Sequence, residues 1–302
     1  MDMKPLNRPI KAIKESKKMK KIDQAAVFLA AQPGLFRCPV CLTPYEAVVG
    51  HSLRCPNGHG VDLSKKGTLY FMQRAVASEY DNAMLAARRR MLQAGLFRGI
   101  TDEFVAHLPQ MSQTILDVGC GEGTPLADVL RQRNNTEDVA IGFDLSKPGI
   151  NLATQLASGA FFCVADLAQM PFANQQFTAI LDLFSPSAYQ EFNRVLAPGG
   201  QLLKVIPNAD YLIELRQAIF PAGSTHASYD NSNVLNLFQQ HYPMATTQRI
   251  RYQVPVPTEL FADLMLMTPM HWGADESRLA EVRANPFPAI TVDVTLLTAQ
   301  GV

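Results

Sequence analysis

The stretch Ile115-Leu-Asp117-Val-Gly119-Cys-Gly121-Glu-Gly123 constrains the fold of this chain more than any other. A short apolar run reads as a strand. Three glycines at alternate positions then turn the chain, and a helical pattern opens at Pro125. Glycine admits positive φ and lets backbone approach a ligand closely. A strand, a glycine turn and a helix in that order belong to an α/β sheet whose ligands sit at the carboxyl ends of its strands.

The alternation continues downstream. After residues 114–118, strands are predicted over 139–143, 160–164, 177–183 and 201–206, with helices over 125–130, 147–156 and 189–196. The last third is less regular, with helices predicted at 210–219 and 259–267 and strands at 246–254 and 289–297. Upstream, helices are predicted over 79–96 and 102–108. The expected fold class is therefore α/β, Rossmann-like, with a seven-stranded, mostly parallel sheet.

The glycine spacing is G-x-G-x-G, with an acid two residues ahead, rather than the G-x-G-x-x-G of dinucleotide sites. That form is typical of S-adenosylmethionine (SAM)-dependent methyltransferases. Two further acids agree with it. Asp144 ends the second strand, where its carboxylate can accept from both ribose hydroxyls. Asp166 ends the third, where an adenine amino group would be read, with Leu167 beside it. The expected cofactor set thus includes Asp117, Gly119, Gly121, Gly123, Asp144, Asp166 and Leu167.

A second constellation lies upstream: Cys38-Pro-Val-Cys41, a spacer, then Cys55-Pro-Asn-Gly-His59. Few large apolar residues surround it, so a small module there needs a metal staple. Two turns bearing Cys38, Cys41, Cys55 and His59 make a zinc ribbon. Four ligands close the tetrahedron, so the Zn2+ is structural. His51 competes for the fourth place, and His59 is preferred.

Formal net charge is zero, which leaves no global field to attract nucleic acid. Local basic runs remain: Lys11, Lys14, Lys17, Lys18, Lys20 and Lys21, and Arg88-Arg89-Arg90. At most two of those arginines can share one helix face, so at least one is expected to be solvated or paired with an acid. No secretory segment or membrane span is apparent, and cysteines in C-x-x-C spacing suggest a reducing, cytoplasmic setting. The expected organisation is a basic tail at 1–34, its order left open, with room for a helix through 25–31, then a zinc-binding domain at 35–75. A helical connection follows at 76–110 and a SAM-dependent methyltransferase domain at 111–302.

With both signatures placed, the chain resembles the RlmA family of 23S rRNA (guanine-N1)-methyltransferases from about Phe36 onward. The resemblance is carried by Phe36-Arg-Cys38-Pro-Val-Cys41, Cys55-Pro-Asn-Gly-His59, Ala87-Arg-Arg-Arg-Met-Leu-Gln-Ala-Gly95, Leu116-Asp-Val-Gly-Cys-Gly-Glu-Gly123, Phe184-Ser-Pro186 and Val205-Ile-Pro-Asn-Ala-Asp-Tyr-Leu-Ile-Glu-Leu215. It implies a zinc module that helps recognise an rRNA hairpin, a homodimer, and a methyl acceptor in domain II of 23S rRNA near the macrolide site. It also places cofactor contacts on Phe97, Gly121, Glu122 and Tyr211. The alternative is a zinc-containing SAM-dependent methyltransferase acting on a small molecule or another RNA.

Guanine N1 carries a proton at neutral pH that must leave before methylation. Asp182, ending the fourth strand, is the candidate catalytic acceptor, directly or through a water. The alternative is that Asp182 only positions the guanine or the loop. Phe184 and Tyr211 are candidates to stack on the base or the adenine.

Overall fold

The computed structural model describes residues 19–72, 81–221, 223–224, 229–272 and 274–301. Of the N-terminal lysines, Lys11, Lys14, Lys17 and Lys18 lie outside these residues. The chain is helical already at α1 (Lys21–Ala31), earlier than the predicted 25–31. Its fourfold-spaced Ala25 and Leu29 are buried, and Phe28 stacks on Phe161 with ring centroids 5.2 Å apart. This part of the expected tail is therefore packed structure. Lys21 Nζ donates to the Thr154 carbonyl at 2.6 Å.

A small antiparallel sheet follows, made of β1 (Ala47–Val49), β2 (Ser52–Arg54) and β3 (Gly60–Asp62), with β4 (Leu69–Tyr70) after it. Next come α2 (Asn82–Gln93) and α3 (Arg98–His107). Asp81 caps α2 by accepting from the Met84 N–H at 2.7 Å. Helix α2 stops short of the predicted 96 because Gly95 takes φ +97°.

The alternating part runs β5 (Thr114–Val118), α4 (Thr124–Arg133), β6 (Val139–Asp144), α5 (Lys147–Ala153), β7 (Phe161–Val164), β8 (Phe177–Leu183), α6 (Tyr189–Val195) and β9 (Leu196–Pro207). It ends with α7 (Ile213–Ile219), α8 (Ser232–His241), β10 (Thr246–Pro255), α9 (Phe261–Leu266), α10 (Glu276–Ala284) and β11 (Ala289–Gln300). Helices α8 and α10 were not predicted. Helix α10 buries Leu279 and Val282 and carries little apolar period, whereas α8 has one, in Val234, Leu235, Leu237 and Phe238, and buries only Phe238.

The main sheet has the order β10-β11-β9-β8-β5-β6-β7-β4. Strands β5 to β11 are the seven expected. All neighbours from β9 to β4 pair parallel, while β11 runs antiparallel to both β9 and β10. The eighth strand comes from the cysteine-bearing module: β4 pairs with β7, Leu69 opposite Cys163 and Tyr70 opposite Val164. The module thus joins the sheet's edge, and the sequence boundary near residue 75 does not separate two cores.

Side-chain alternation along the strands builds one core on each face. Ile115, Ala179, Leu181, Leu203 and Val205 pack under α2 and α3, together with Phe97, Ile100 and Phe104. Leu116, Val118, Ile180, Leu202 and Ile206 face the other way, into a core shared with Leu29, Phe36, Tyr45 and Leu53 of the N-terminal module. Phe36 is fully buried there and makes ring contacts with Phe71, Phe161 and Phe172. Replacing Phe36 with Ala should cost about 3–5 kcal/mol. In a denaturant titration the midpoint should fall while the transition stays single, because module and sheet share this core. Two separated transitions would show that they do not.

Candidate functional site

Cys38 and Cys41 lie on one turn, and Cys55 and His59 on another. A hydrogen bond from the Cys55 N–H to the His59 carbonyl at 3.0 Å closes the second. One ligand atom from each of Cys38, Cys41, Cys55 and His59 lies within 4.8 Å of the others. Tetrahedral zinc, with bonds of about 2.3 Å to sulfur and 2.0 Å to nitrogen, separates two sulfurs by about 3.8 Å and a sulfur from a nitrogen by about 3.6 Å. Cys41 Sγ stands 3.7 Å from Cys55 Sγ, and Cys55 Sγ 3.5 Å from His59 Nδ1. Both spacings match edges of a zinc tetrahedron, so this group could bind Zn2+. Thr43, and then Asn57, donate to Cys41 and hold its thiol low, at about 5, which favours a metal-ready thiolate. His51 is engaged elsewhere: its Nε2 lies 2.8 Å from Asp23 Oδ1 of α1.

The glycine loop leaves β5 and enters α4 through three left-handed residues, Gly119, Gly121 and Gly123. At Gly119 a Cβ would collide with Ser185 Oγ, so the position requires glycine for space as well as for φ. Asp144, at the end of β6, accepts from the Gly121 N–H at 2.9 Å and the Ser146 N–H at 2.7 Å. It therefore ties the loop to the cap of α5, and each carboxylate oxygen keeps a lone pair for a hydroxyl. Asp166 accepts from the Ala168 N–H at 2.8 Å and starts a 3-10 turn holding Leu167, both half-buried.

Asp117 is buried, and its Oδ2 has no hydrogen-bond partner. Burial, and then the carboxylates of Asp144, Asp182 and Glu122, push its carboxyl well above the usual range. An orphaned acceptor beside a glycine turn fits a ligand that brings a donor. Residues 117–123 with Asp144 thus fit SAM, which offers ribose hydroxyls and an ammonium group.

The Glu122 side chain is turned into the protein. It is fully buried, accepts from Arg89 Nε at 2.9 Å and Thr124 Oγ at 2.7 Å, and the Glu122 carbonyl accepts from Arg89 at 2.7 Å. The carboxylate and carbonyl, both held by Arg89, brace the loop. Arg90 forms a two-pronged pair with Asp263 of α9, both bonds 2.6 Å. Two arginines of the basic run are therefore paired with acids.

Three aromatic rings stand together. Phe97 meets Phe184 edge-on at 5.6 Å, and Phe184 meets Tyr211 at 5.1 Å. Phe184 adopts φ +62°, a conformation that bulky side chains rarely take. What holds it is a network invisible in the motif. Lys204 Nζ donates to Asp182 Oδ2 at 2.8 Å and to the Ser185 carbonyl at 2.7 Å, while the Ser185 N–H donates to Asp182 Oδ1 at 3.1 Å. Asp182 and Lys204 stand opposite each other in the β8–β9 ladder. Both are buried, and by strand parity they face the core shared with the zinc module, the side opposite Asp117. Sequence reading missed Lys204, although a lone lysine in the apolar run Leu202-Leu-Lys-Val-Ile206 is itself a signal for a buried partner.

Elemental analysis of the purified chain should find one zinc per protomer. His59→Ala should lose it and His51→Ala should keep it; the reverse result would move the fourth ligand to His51.

A model of the methyltransferase domain family matches residues 115–200. The Bacillus subtilis (strain 168) protein named "Putative 23S rRNA (guanine-N(1)-)-methyltransferase YxjB" is 36% identical over 272 residues, covering 87% of this chain and 96% of that protein. The 23S rRNA (guanine(748)-N(1))-methyltransferase of Streptomyces fradiae is 28% identical over 268 residues, covering 86% and 93%. Among solved structures, the Haemonchus contortus "Phospholethanolamine N-methyltransferase 2" aligns at 12% identity with a TM-score of 0.48, over 74% of this chain and 59% of that one. With 36% identity across most of both chains, and with the cysteine–histidine group and the glycine loop in one molecule, the chain belongs to the family of 23S rRNA (guanine-N1)-methyltransferases.

Proposed function

We propose that this protein transfers a methyl group from SAM to N1 of a guanine in a domain II hairpin of 23S rRNA, working as a homodimer in the cytoplasm. The observation that carries the reading is the likeness, over 87% and 86% of this chain, to relatives named for that reaction, which goes well beyond the cofactor domain. The glycine loop alone would serve many acceptors. A cysteine–histidine module built into the cofactor sheet through β4 adds a rigid surface beside the site. No described helix is long and apolar enough to cross a membrane.

SAM, when bound, supplies a methyl group on a sulfonium for in-line displacement. The chain's own residues align and desolvate the acceptor. The turn at Phe184-Ser-Pro186 places the Phe184 ring against Tyr211, where the pair can stack a guanine base. Of the two roles open to Asp182, its geometry favours positioning. Both oxygens are bonded inside the protein and the side chain has no solvent access, so it anchors the turn through Lys204 and Ser185.

Reverse transcription of 23S rRNA from cells with and without the gene tests the function, because N1-methylguanine cannot pair. A stop at one domain II guanine should appear only when the gene is present. Identical stop patterns would refute the rRNA assignment.

Positioning by Asp182 also predicts a pH dependence. Burial raises its carboxyl to about 6, with Lys204 and the Ser185 N–H pulling it down. As pH falls through that value the carboxylate takes up a proton and its bond to Lys204 weakens. Methyl transfer should therefore decline on the acid side. Lys204→Met removes the largest opposing influence and should move that limb to higher pH, while affinity for S-adenosylhomocysteine stays within about twofold of wild type. A limb that does not move would separate Asp182 from the rate.

A further inference from the structure

The three consecutive arginines of α2 have three fates. Arg89 holds Glu122 and Arg90 holds Asp263. Arg88 is half-buried, with its guanidinium carbon 5.3 Å over the centre of the Phe97 ring. Among the described residues it has no hydrogen-bond or ion-pair partner. Its location is tightly bounded. Arg89, the next residue, is bonded to the Glu122 carbonyl inside the glycine loop, and Phe97 touches Phe184, which touches Tyr211.

The electrostatics of this corner are one-sided. Asp117 and Glu122 are buried here and Asp144 nearly so, and Asp117 Oδ2 lacks a donor. Burial pushes the carboxyls of Asp117 and Asp144 and the hydroxyl of Tyr211 upward, and Arg88 is the cation that pulls against that in all three. A ligand with an ammonium and a sulfonium is welcome among such acids. Its single carboxylate is not, unless a cation receives it. Lys204 and Arg89 already have carboxylate partners.

We propose that Arg88, held over the Phe97 ring, receives the α-carboxylate of SAM and so fixes the amino-acid end of the cofactor, with the open oxygen of Asp117 available for the α-ammonium. The planar fork of a guanidinium matches a carboxylate in two hydrogen bonds, and an aromatic platform orients that fork. Phe97 then contributes to cofactor binding through Arg88 as well as through its own edge. The assignment takes Arg88 away from rRNA phosphates. It rests on the reading of the protein as SAM-dependent and is independent of which nucleic acid is methylated.

Calorimetric titration of the full-length, zinc-loaded protein with two probes tests it. S-adenosylhomocysteine carries the amino-acid end; 5′-methylthioadenosine lacks it. Arg88→Gln should weaken S-adenosylhomocysteine by about tenfold or more and leave 5′-methylthioadenosine within about twofold of wild type. Arg88→Lys, which keeps the charge and loses the fork, should fall between. Equal losses for both probes would show a structural role, and unchanged S-adenosylhomocysteine affinity would show that the carboxylate goes elsewhere; either overturns the proposal. Wild type failing to bind S-adenosylhomocysteine would overturn the SAM-dependent reading itself.

Discussion

A carboxylate taken out of water must find a partner or a proton, and this molecule crowds carboxylates at the carboxyl ends of its central strands. Glu122 finds Arg89 and Thr124, Asp182 finds Lys204, and Asp144 finds two backbone N–H groups. Each partner is also a structural tie. Arg89 fastens α2 to the glycine loop, Lys204 fastens the Phe184 turn, and Asp144 joins the loop to α5. Asp117, left with an open oxygen, is the exception. The geometry of the site follows from how these acids are satisfied and where one is not.

The cysteine–histidine module reaches the site through the same sheet. Its four ligand atoms come together, with the Cys41–Cys55 and Cys55–His59 spacings matching edges of a zinc tetrahedron, and its last strand is hydrogen-bonded to β7. A metal there stabilises a fold that buries Phe36 and Leu53 in the core under the sheet. Loss of the metal would be felt on the face of the sheet that carries Asp182 and Lys204.

Much of this was legible in advance. The strands at 114–118 and 177–183 end where predicted, since both runs are too short for a helix and stop at Gly119 and before Ser185-Pro186. The four metal-binding candidates come together because both turns are local, set by C-x-x-C and Pro-Asn-Gly. The helix at Ser232–His241 was missed although Val234, Leu235, Leu237 and Phe238 recur at helical spacing, because the surrounding last third reads as irregular. The inward turn of the Glu122 carboxylate toward Arg89 was not legible, because a motif records position, not which way a side chain turns.

The sequence by itself determined the α/β class, the metal-binding group and the glycine loop, because each depends on residues close together along the chain. Only the tertiary structure decided the roles of the charged residues. Arg88, Arg89 and Arg90 are identical in kind and adjacent in sequence, yet one braces the loop, one pairs with Asp263 and one remains open over Phe97. The partner of a buried charge comes from a distant segment, as Lys204 does for Asp182. The energy that assigns those partners is the cost of leaving water, which is paid only once the chain has folded around them.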